Sequence, residues 1–268
     1  MFRNYVHLTG VISHCTLWAT SPANDTYLEN KHFNPDTAPE HKTSIYCVHG
    51  TADRSNSFSV IANQLMGKLP DNIDRIYFLT FDDRFQGTSV EDYARQLKNK
   101  IILNHSNNVI LMGHSRGGLV CSWFAEYLSV KNDINVDLVV SVCGPFRGSY
   151  LAIWPLTKVS TSVDEMQVDG KLLHELSEKI GESSIRYLFL GAERDQLVKG
   201  DSYMPYQFER HGISVMKLPV HGHLSMMSTP DPLLIDALTD VITSVKREVQ
   251  EDVQDNVQDC VVIKSKEC

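Results

Sequence analysis

The chain has 268 residues, of which 42% are hydrophobic and 22% charged, and its formal net charge is −8. This composition is typical of a globular protein and is rich enough in apolar residues to bury a large core. The acidic balance disfavours a nucleic-acid-binding function, because phosphate backbones repel a negative surface.

Residues 1–42 are predicted to be an N-terminal extension, with irregular structure over residues 14–43. Residues 14–43 are polar and contain three prolines. The first 15 residues carry a single Arg and are interrupted by polar residues, so they make a poor signal peptide. No segment approaches the ~20 apolar residues that a transmembrane helix needs. We therefore expect a cytoplasmic protein, with export by a signal-independent route as the alternative.

Six short apolar runs between residues 43 and 245 predict β-strands. They lie at residues 44–48, 75–80, 109–113, 136–142, 185–191 and 213–218. Apolar residues at helical spacing lie between them, and Ser89 followed by Asp92 is similar to a capping box. Strands that alternate with helices predict a parallel sheet, and nearly continuous apolar strands predict a sheet covered on both faces. The predicted class is therefore α/β, with a mostly parallel twisted sheet of about six or more strands and helices on both faces.

The strongest functional signal is the hexapeptide GHSRGG at residues 113–118, which directly follows the apolar run at 109–112. A serine on a sharp strand-to-helix turn exposes its hydroxyl, and the flanking glycines let the strand and the helix approach each other. A purely structural glycine-rich turn is the alternative, because a bare GxSxG also arises by chance. The strand before the motif and the helix after it favour Ser115 as a nucleophile.

A serine nucleophile needs a base, and a carboxylate should hold that base in the correct tautomer. The fifth predicted strand is followed by Glu193 and Asp195, and the sixth by His221 and His223. We favour Asp195 because it lies farther into its loop, and His223 because it follows Gly222 and can occupy a tight turn. Glu193 and His221 are kept as alternatives.

The oxyanion that develops during acyl transfer needs main-chain donors that are already in place. The amide of Arg116, directly after the candidate nucleophile, is one such donor. The amide of Thr51 is the other, because the first predicted strand ends in Val48-His49-Gly50 and a glycine permits close backbone approach.

Together these motifs resemble the α/β-hydrolase superfamily and, within it, small bacterial lipases with little lid. Such lipases share VHG at the first core strand, a GHS or AHS turn followed by GG, and Gly-His near the end. The resemblance covers residues 43–245. It implies an ester-hydrolysing enzyme without a cofactor, with a triad and an oxyanion hole formed by Ser115, Asp195, His223, Thr51 and Arg116. The N-terminal 42 residues and the C-terminal tail have no counterpart in the minimal lipases.

A cap or lid is predicted at about residues 144–170, because this segment is longer than a minimal lipase requires. Tyr150, Leu151 and Trp154 would give it an apolar face that binds substrate and excludes water. The alternative is that these side chains are ordinary core residues beneath a loop.

The remaining features narrow the chemistry. The six cysteines form no CxxC pair, and Cys47, Cys121 and Cys143 lie in apolar runs, so we expect reduced core thiols. No spacing of His, Cys and Asp predicts a metal site, and no metal or cofactor is expected. Residues 246–268 form an acidic, Gln-rich tail with a valine at every fourth position. This pattern is typical of a solvated tail or, alternatively, of a narrow helical stripe that docks on a partner.

The sequence therefore predicts a serine hydrolase that cleaves carboxylic esters, with lipid-like acyl esters as the expected substrates. An acyl-thioesterase or an acyltransferase would use the same triad, and a non-catalytic binding protein could share the fold. The expected partner is a small-molecule or lipid ester, with peripheral membrane contact allowed and no nucleic acid. The sequence specifies no oligomeric state.

Overall fold

The computed structural model describes residues 12–51, 53–81, 87–150, 152, 157 and 160–245. Within these residues seven strands form one sheet in the order β1-β3-β2-β4-β5-β6-β7. Only β1 runs antiparallel to its neighbour among these strands, and the other pairs are parallel. The strands β1 to β7 are Thr26–Glu29, Thr43–Val48, Ile73–Phe78, Asn108–His114, Asn135–Val142, Tyr187–Ala192 and Ile213–Leu218. The predicted fold class and all six predicted strands are confirmed.

In chain order, the described helices α1 to α8 span residues 12–19, Ser59–Leu65, Val90–Leu103, Arg116–Tyr127, Thr161–Asp164, Lys171–Glu182, Ser225–Ser228 and 232–245. Among these helices, α2 to α6 lie between strands, as expected, whereas α1 precedes β1 and both α7 and α8 follow β7. The predicted capping box begins α3. The Asp92 amide donates to Ser89 Oγ at 3.0 Å, and the Ser89 amide donates to Asp92 Oδ2 at 3.1 Å.

Two apolar layers enclose the sheet, because successive side chains of a strand point to opposite faces. Ile45 and Cys47 of β2 pack in one layer with α2 and α8. Tyr46 and Val48 pack in the other layer with α3, α4 and α6. All six residues of β2 are buried, so this strand lies in the middle of the core and its carboxyl end is rigidly placed.

The N-terminal extension is more ordered than the sequence predicted. It contains α1 and the edge strand β1, and α1 contacts the loop that follows β2. The Arg54 guanidinium lies 3.9 Å from the Trp18 ring centroid, and the Asn56 amide donates to Ser21 Oγ at 3.2 Å. The expectation of irregular structure was wrong for residues 14–19 and 26–29. Their polar composition does not reveal contacts with residues far along the chain.

The described cysteines are free thiols, buried at Cys47, Cys121 and Cys143 and exposed at Cys15. The expectation of reduced core thiols at the three apolar positions is confirmed. Among the described residues, no helix combines the length and the apolarity that a bilayer crossing requires. The C-terminal tail, residues 246–268, lies outside the described residues.

Candidate active site

Ser115 lies between β4 and α4 in a backbone conformation that suits glycine. Its φ is 54° and its ψ is −126°, values typical of the first central residue of a type II′ turn. A residue with a Cβ is strained there, at a cost of about 1–3 kcal/mol. Two hydrogen bonds hold the turn, from the Ser115 amide to the Val142 carbonyl at 2.8 Å and from the Gly118 amide to the Ser115 carbonyl at 2.9 Å.

The glycines of the motif are required by the close approach of β4, α4 and β2. A Cβ on Gly113 would lie 2.3 Å from the carbonyl of Gly117. A Cβ on Gly117 would lie 2.1 Å from the Val48 oxygen. Real Cβ atoms do not come this close to backbone, so both positions admit glycine alone. The positions of the two glycines around Ser115 are therefore determined by the close packing of one backbone segment against another.

Asp195 and His223 form a buried pair at the carboxyl ends of β6 and β7. His223 Nδ1–H donates to Asp195 Oδ2 at 2.7 Å, and only 7% of Asp195 and 5% of His223 are exposed. The other carboxylate oxygen accepts the amides of Leu197 and Val198 at 2.8 and 2.9 Å. Because Nδ1 carries the hydrogen, Nε2 of the neutral ring is left with a lone pair.

The same bonds determine the charge of the Asp195 carboxyl. Burial by itself would raise its pKa, but the hydrogen bond and charge interaction with His223 and the two loop amides outweigh burial. The pKa of Asp195 is therefore held below its ordinary value, and the group is a carboxylate at neutral pH.

The structure separates the two pairs of alternatives that the sequence left open. His221 turns away from Asp195, and its Nε2 pairs with Asp231 Oδ2 at 3.0 Å. Glu193 is exposed, whereas Asp195 is buried. Of the four candidates, Asp195 and His223 are the two that are bonded to each other.

The loop after β2 passes directly beside Ser115. A Cβ on Gly50 would lie 3.0 Å from the Ser115 Cβ. The Gly50 carbonyl accepts a hydrogen bond from His49 Nδ1 at 2.8 Å and faces Arg116 Nη2 at 3.5 Å. In a trans peptide the C=O and the next N–H point in opposite directions. These contacts therefore orient the amide of Thr51, one of the two predicted oxyanion donors.

Arg116 contributes a side chain that sequence reasoning did not consider. The side chain is 1% exposed, and its guanidinium lies 3.9 Å from the Tyr93 ring centroid. Its Nη1 donates to Ser162 Oγ at 3.3 Å. A long cationic residue directly after a serine would ordinarily be placed on the surface, so the sequence offered no sign of this burial.

The predicted substrate-binding residues are only partly described. Tyr150 is 55% exposed, with its amide bonded to the Leu197 carbonyl at 2.9 Å and Lys199 Nζ 4.2 Å from its ring centroid. It therefore lies at the outer side of the loop that carries Asp195. Leu151 and Trp154 lie outside the described residues. The cap at residues 144–170 stays a prediction.

A second buried polar cluster adjoins the first and was missed by sequence reasoning. His114, the residue before Ser115, has its ring centroid 4.9 Å from that of His223. It contacts Asp53, and Asp53 Oδ1 lies 3.5 Å from His14 Nε2. His114 stood in the recognised motif, but His14 and Asp53 had no local signal because they meet only in the folded chain.

Cys143 lies beside the Asp195–His223 pair. One potential metal-ligating atom of each of these three residues lies within 4.8 Å of the others. Burial, however, raises the pKa of the Cys143 thiol well above its ordinary value, so the thiolate that a metal would need is disfavoured. Asp195 and His223 are also bonded to each other. This chemistry does not favour a resident metal.

Comparisons with known proteins agree with this architecture. A family model described as "Domain of unknown function (DUF7379)" matches residues 13–193, more than half of the chain. No curated protein sequence matches. Among solved structures, the monoacylglycerol lipase of Paleococcus ferrophilus is similar with a TM-score of 0.59 and 15% identity, over 82% of this chain and 98% of that one.

Two further structures show the breadth of activities on this fold. The mature lipase BlEst2 of Bacillus licheniformis has a TM-score of 0.58 and 14% identity, over 81% of this chain and 98% of that one. The proline iminopeptidase of Mycobacterium smegmatis has a TM-score of 0.57 and 9% identity, over 84% and 95%. At such identities the likeness extends to the fold alone. The chain therefore belongs to the DUF7379 family, a domain of unknown function, and has the α/β-hydrolase fold.

Proposed function

We propose that this protein is a serine hydrolase that cleaves carboxylic esters through an acyl-enzyme on Ser115. One observation carries the proposal: a serine held in a glycine-type conformation is linked, through the residue before it in the chain, to a buried carboxylate–imidazole pair. Ser115 follows His114, whose ring is 4.9 Å from that of His223 and bonds the His223 carbonyl at 3.1 Å. Strain at a serine, supported by packing on every side, is typical of a functional site.

The proposed reaction assigns one task to each group. His223 Nε2 takes the proton of Ser115 Oγ as that oxygen attacks the ester carbonyl carbon. The amides of Thr51 and Arg116 stabilise the resulting oxyanion. When the C–O bond of the ester breaks, the leaving alkoxide receives the proton from His223. Water then attacks the acyl-enzyme by the same route and releases the acid.

Asp195 keeps His223 in the productive tautomer and stabilises the imidazolium that forms in each half-reaction. Its carboxylate is already ionised and held by the loop amides of Leu197 and Val198. Little reorganisation is then needed when the base becomes charged. This arrangement supports Asp195 as the acid of the triad.

An ester with a lipid-like acyl chain is the proposed substrate class. Similar structures include proteins described as lipases, although the iminopeptidase shows that the fold also serves other bonds. We propose that Tyr150, Leu151 and Trp154 contact the acyl chain from the cap. We also propose cytoplasmic action, which the free and exposed thiol of Cys15 supports.

The test is hydrolysis of p-nitrophenyl esters from acetate to laurate by the wild type and by Ser115→Ala. The variant is expected to lose activity by roughly 10³-fold or more, because the acyl-enzyme cannot form. Ser183→Ala is the matched control, since Ser183 lies at the far end of α6 and its hydroxyl bonds the Ile185 amide and the Glu126 carboxyl, outside the proposed site. Unchanged turnover in folded Ser115→Ala would reject the mechanism.

Two further assays separate the alternative functions. Competition between a thioester and its oxygen ester distinguishes a thioesterase, and an added alcohol acceptor reveals acyl transfer. A fluorophosphonate probe should label Ser115 in the wild type and leave Ser115→Ala unlabelled. A protein that hydrolyses no ester and resists the probe would instead be a non-catalytic binder on this fold.

A further inference from the structure

His114 is enclosed between two oxygen acceptors. Its Nδ1–H donates to Asp53 Oδ2 at 3.3 Å, and its Nε2–H donates to the carbonyl of His223 at 3.1 Å. The ring is buried. Neither a carbonyl nor a carboxylate oxygen can supply a hydrogen, so both hydrogens must come from the imidazole.

Satisfying both bonds requires the doubly protonated ring. A neutral imidazole has one N–H and would turn the lone pair of its other nitrogen toward an oxygen. The carboxyl of Asp53 cannot supply the missing hydrogen, because it is ionised at neutral pH. Burial alone would raise its pKa, but the hydrogen bond and charge of His114, together with the charges of His14 and His49, lower it to about 2. The amide of Arg54 also donates to Asp53 Oδ1 at 2.8 Å.

His14 of α1 also lies next to Asp53. Its Nε2 lies 3.5 Å from Asp53 Oδ1. Burial is the main reason why the pKa of His14 is lowered from its ordinary value, which favours the neutral ring. Among the described hydrogen bonds, the histidine ring that bonds the Asp53 carboxylate is that of His114. The other titratable groups that face this pair are His14 and His49, which act on Asp53, and His223, whose ring lies beside that of His114.

We propose that Asp53 and His114 form a buried ion pair that positions His223 and keeps a positive charge beside its ring. This inference rests on the proposed role of His223 as the catalytic base. Asp53 and His114 are positioning residues, because they act through the main chain and the ring of His223. When His223 is protonated during the reaction, two imidazoliums and two carboxylates balance one another.

The pair has a measurable consequence for the base. A cation beside His223 repels a second positive charge on that ring. The ring centroids are 4.9 Å apart, a distance at which two like charges repel each other appreciably. Without the cation, the acidic limb of the kcat/KM profile should move to higher pH.

The experiment is the pH profile of kcat/KM for a p-nitrophenyl ester in the wild type and His114→Gln. A glutamine amide can still donate to the His223 carbonyl but has no charge. Asp53→Asn should shift the acidic limb in the same direction by less, because loss of the Asp53 anion also removes the His114 cation that this anion stabilises. The double variant should not exceed His114→Gln, since the two residues act as one unit.

His174→Gln is the matched control. The His174 ring stacks on Tyr206 with centroids 4.4 Å apart and lies 4.0 Å from Asp169, so it too combines an aromatic and an acidic neighbour. It lies on α6, outside both buried clusters, and its replacement should leave the acidic limb in place.

A second measurement does not depend on activity. In the ¹⁵N-labelled wild type at neutral pH, the side-chain NMR signals that disappear in His114→Gln should comprise two N–H groups of one ring. One N–H instead of two would overturn the ion pair. An acidic limb that coincides with that of the wild type, or a rate loss equal at every pH, would overturn its effect on His223.

The outcomes separate the two proposals. If the wild type hydrolyses no ester and resists the fluorophosphonate, the proposed function fails, and the NMR signals still decide the ion pair. If His114→Gln does not fold, Asp53→Asn supplies the pH profile, and the loss of the two-proton ring in that variant identifies the signal.

Discussion

Replacing Ser115 by glycine should stabilise the folded protein while it removes the proposed nucleophile. The φ of 54° and ψ of −126° at Ser115 suit glycine, and strain of this kind costs a residue with a Cβ about 1–3 kcal/mol. Glycine has its own disadvantage of about 0.5–1 kcal/mol relative to alanine, because it loses more backbone entropy on folding. Both Ser115→Gly and Ser115→Ala lack the hydroxyl, so that contribution cancels between them.

The difference between these two variants isolates the backbone. Strain relief minus entropy predicts that Ser115→Gly is more stable than Ser115→Ala by about 0 to 2.5 kcal/mol. For a domain of this size each kcal/mol corresponds to about 2–4 °C in Tm. Urea unfolding and thermal scans measure the two quantities, and both variants should be inactive toward esters.

Ser160 provides the matched position. Its φ of −145° and ψ of 113° are ordinary extended backbone, so Ser160→Gly should be less stable than Ser160→Ala by about 0.5–1 kcal/mol. Subtracting the Ser160 difference from the Ser115 difference leaves the strain alone, about 1–3 kcal/mol. The same glycine penalty at both positions would refute the claim that the Ser115 backbone is strained.

Three other perturbations test the site and its supports. Asp195→Asn should keep the fold but lower kcat by roughly 10⁴-fold, because an amide fails to hold the tautomer of the base. Steady-state kinetics measures kcat and circular dichroism verifies the fold. A change in KM with an unchanged kcat would contradict this prediction. The pKa of Asp53 is lowered from 3.8 to about 2, so its interactions should add about 2 kcal/mol of stability above pH 3.8, lost as pH falls through 2. Urea unfolding of the wild type and Asp53→Asn should therefore converge near that lower pH, and a constant difference would argue against it. Gly117→Ala places a Cβ 2.1 Å from the Val48 oxygen. This variant should lose about 1–3 kcal/mol or more of its free energy of unfolding and should also lose ester hydrolysis. Gly67→Ala, whose Cβ meets no atom within 4 Å, should keep both.

Local sequence signals were sufficient for the framework of the site. The capping box of Ser89 and Asp92, the six core strands and the turn at Ser115 all depend on residues a few positions apart. A strand buried on both faces must be apolar along its length, and a Cβ has no room at Gly113 or Gly117. These requirements determine the types of residues that are close together in the chain, so the strands and the turn could be predicted from the sequence.

Choices between equivalent residues needed the folded chain. His221 and His223 follow the same strand two positions apart, yet His223 meets Asp195 and His221 meets Asp231. The direction in which each imidazole points depends on the path of the loop after β7. That path is set by contacts with other loops, which the composition of the loop does not encode.

The amino-acid sequence by itself therefore determined the α/β class, the positions of the six core strands along the chain and the turn that carries Ser115. Tertiary structure alone decided that β1 joins the sheet, that the side chain of Arg116 is buried and that His14, Asp53 and His114 meet beside His223. The physical reason is how far apart in the chain the interacting residues lie. Backbone conformation and hydrophobic periodicity act between neighbours in the chain, whereas hydrogen bonds and ion pairs between distant residues exist only once the sheet has brought their loops to the same edge.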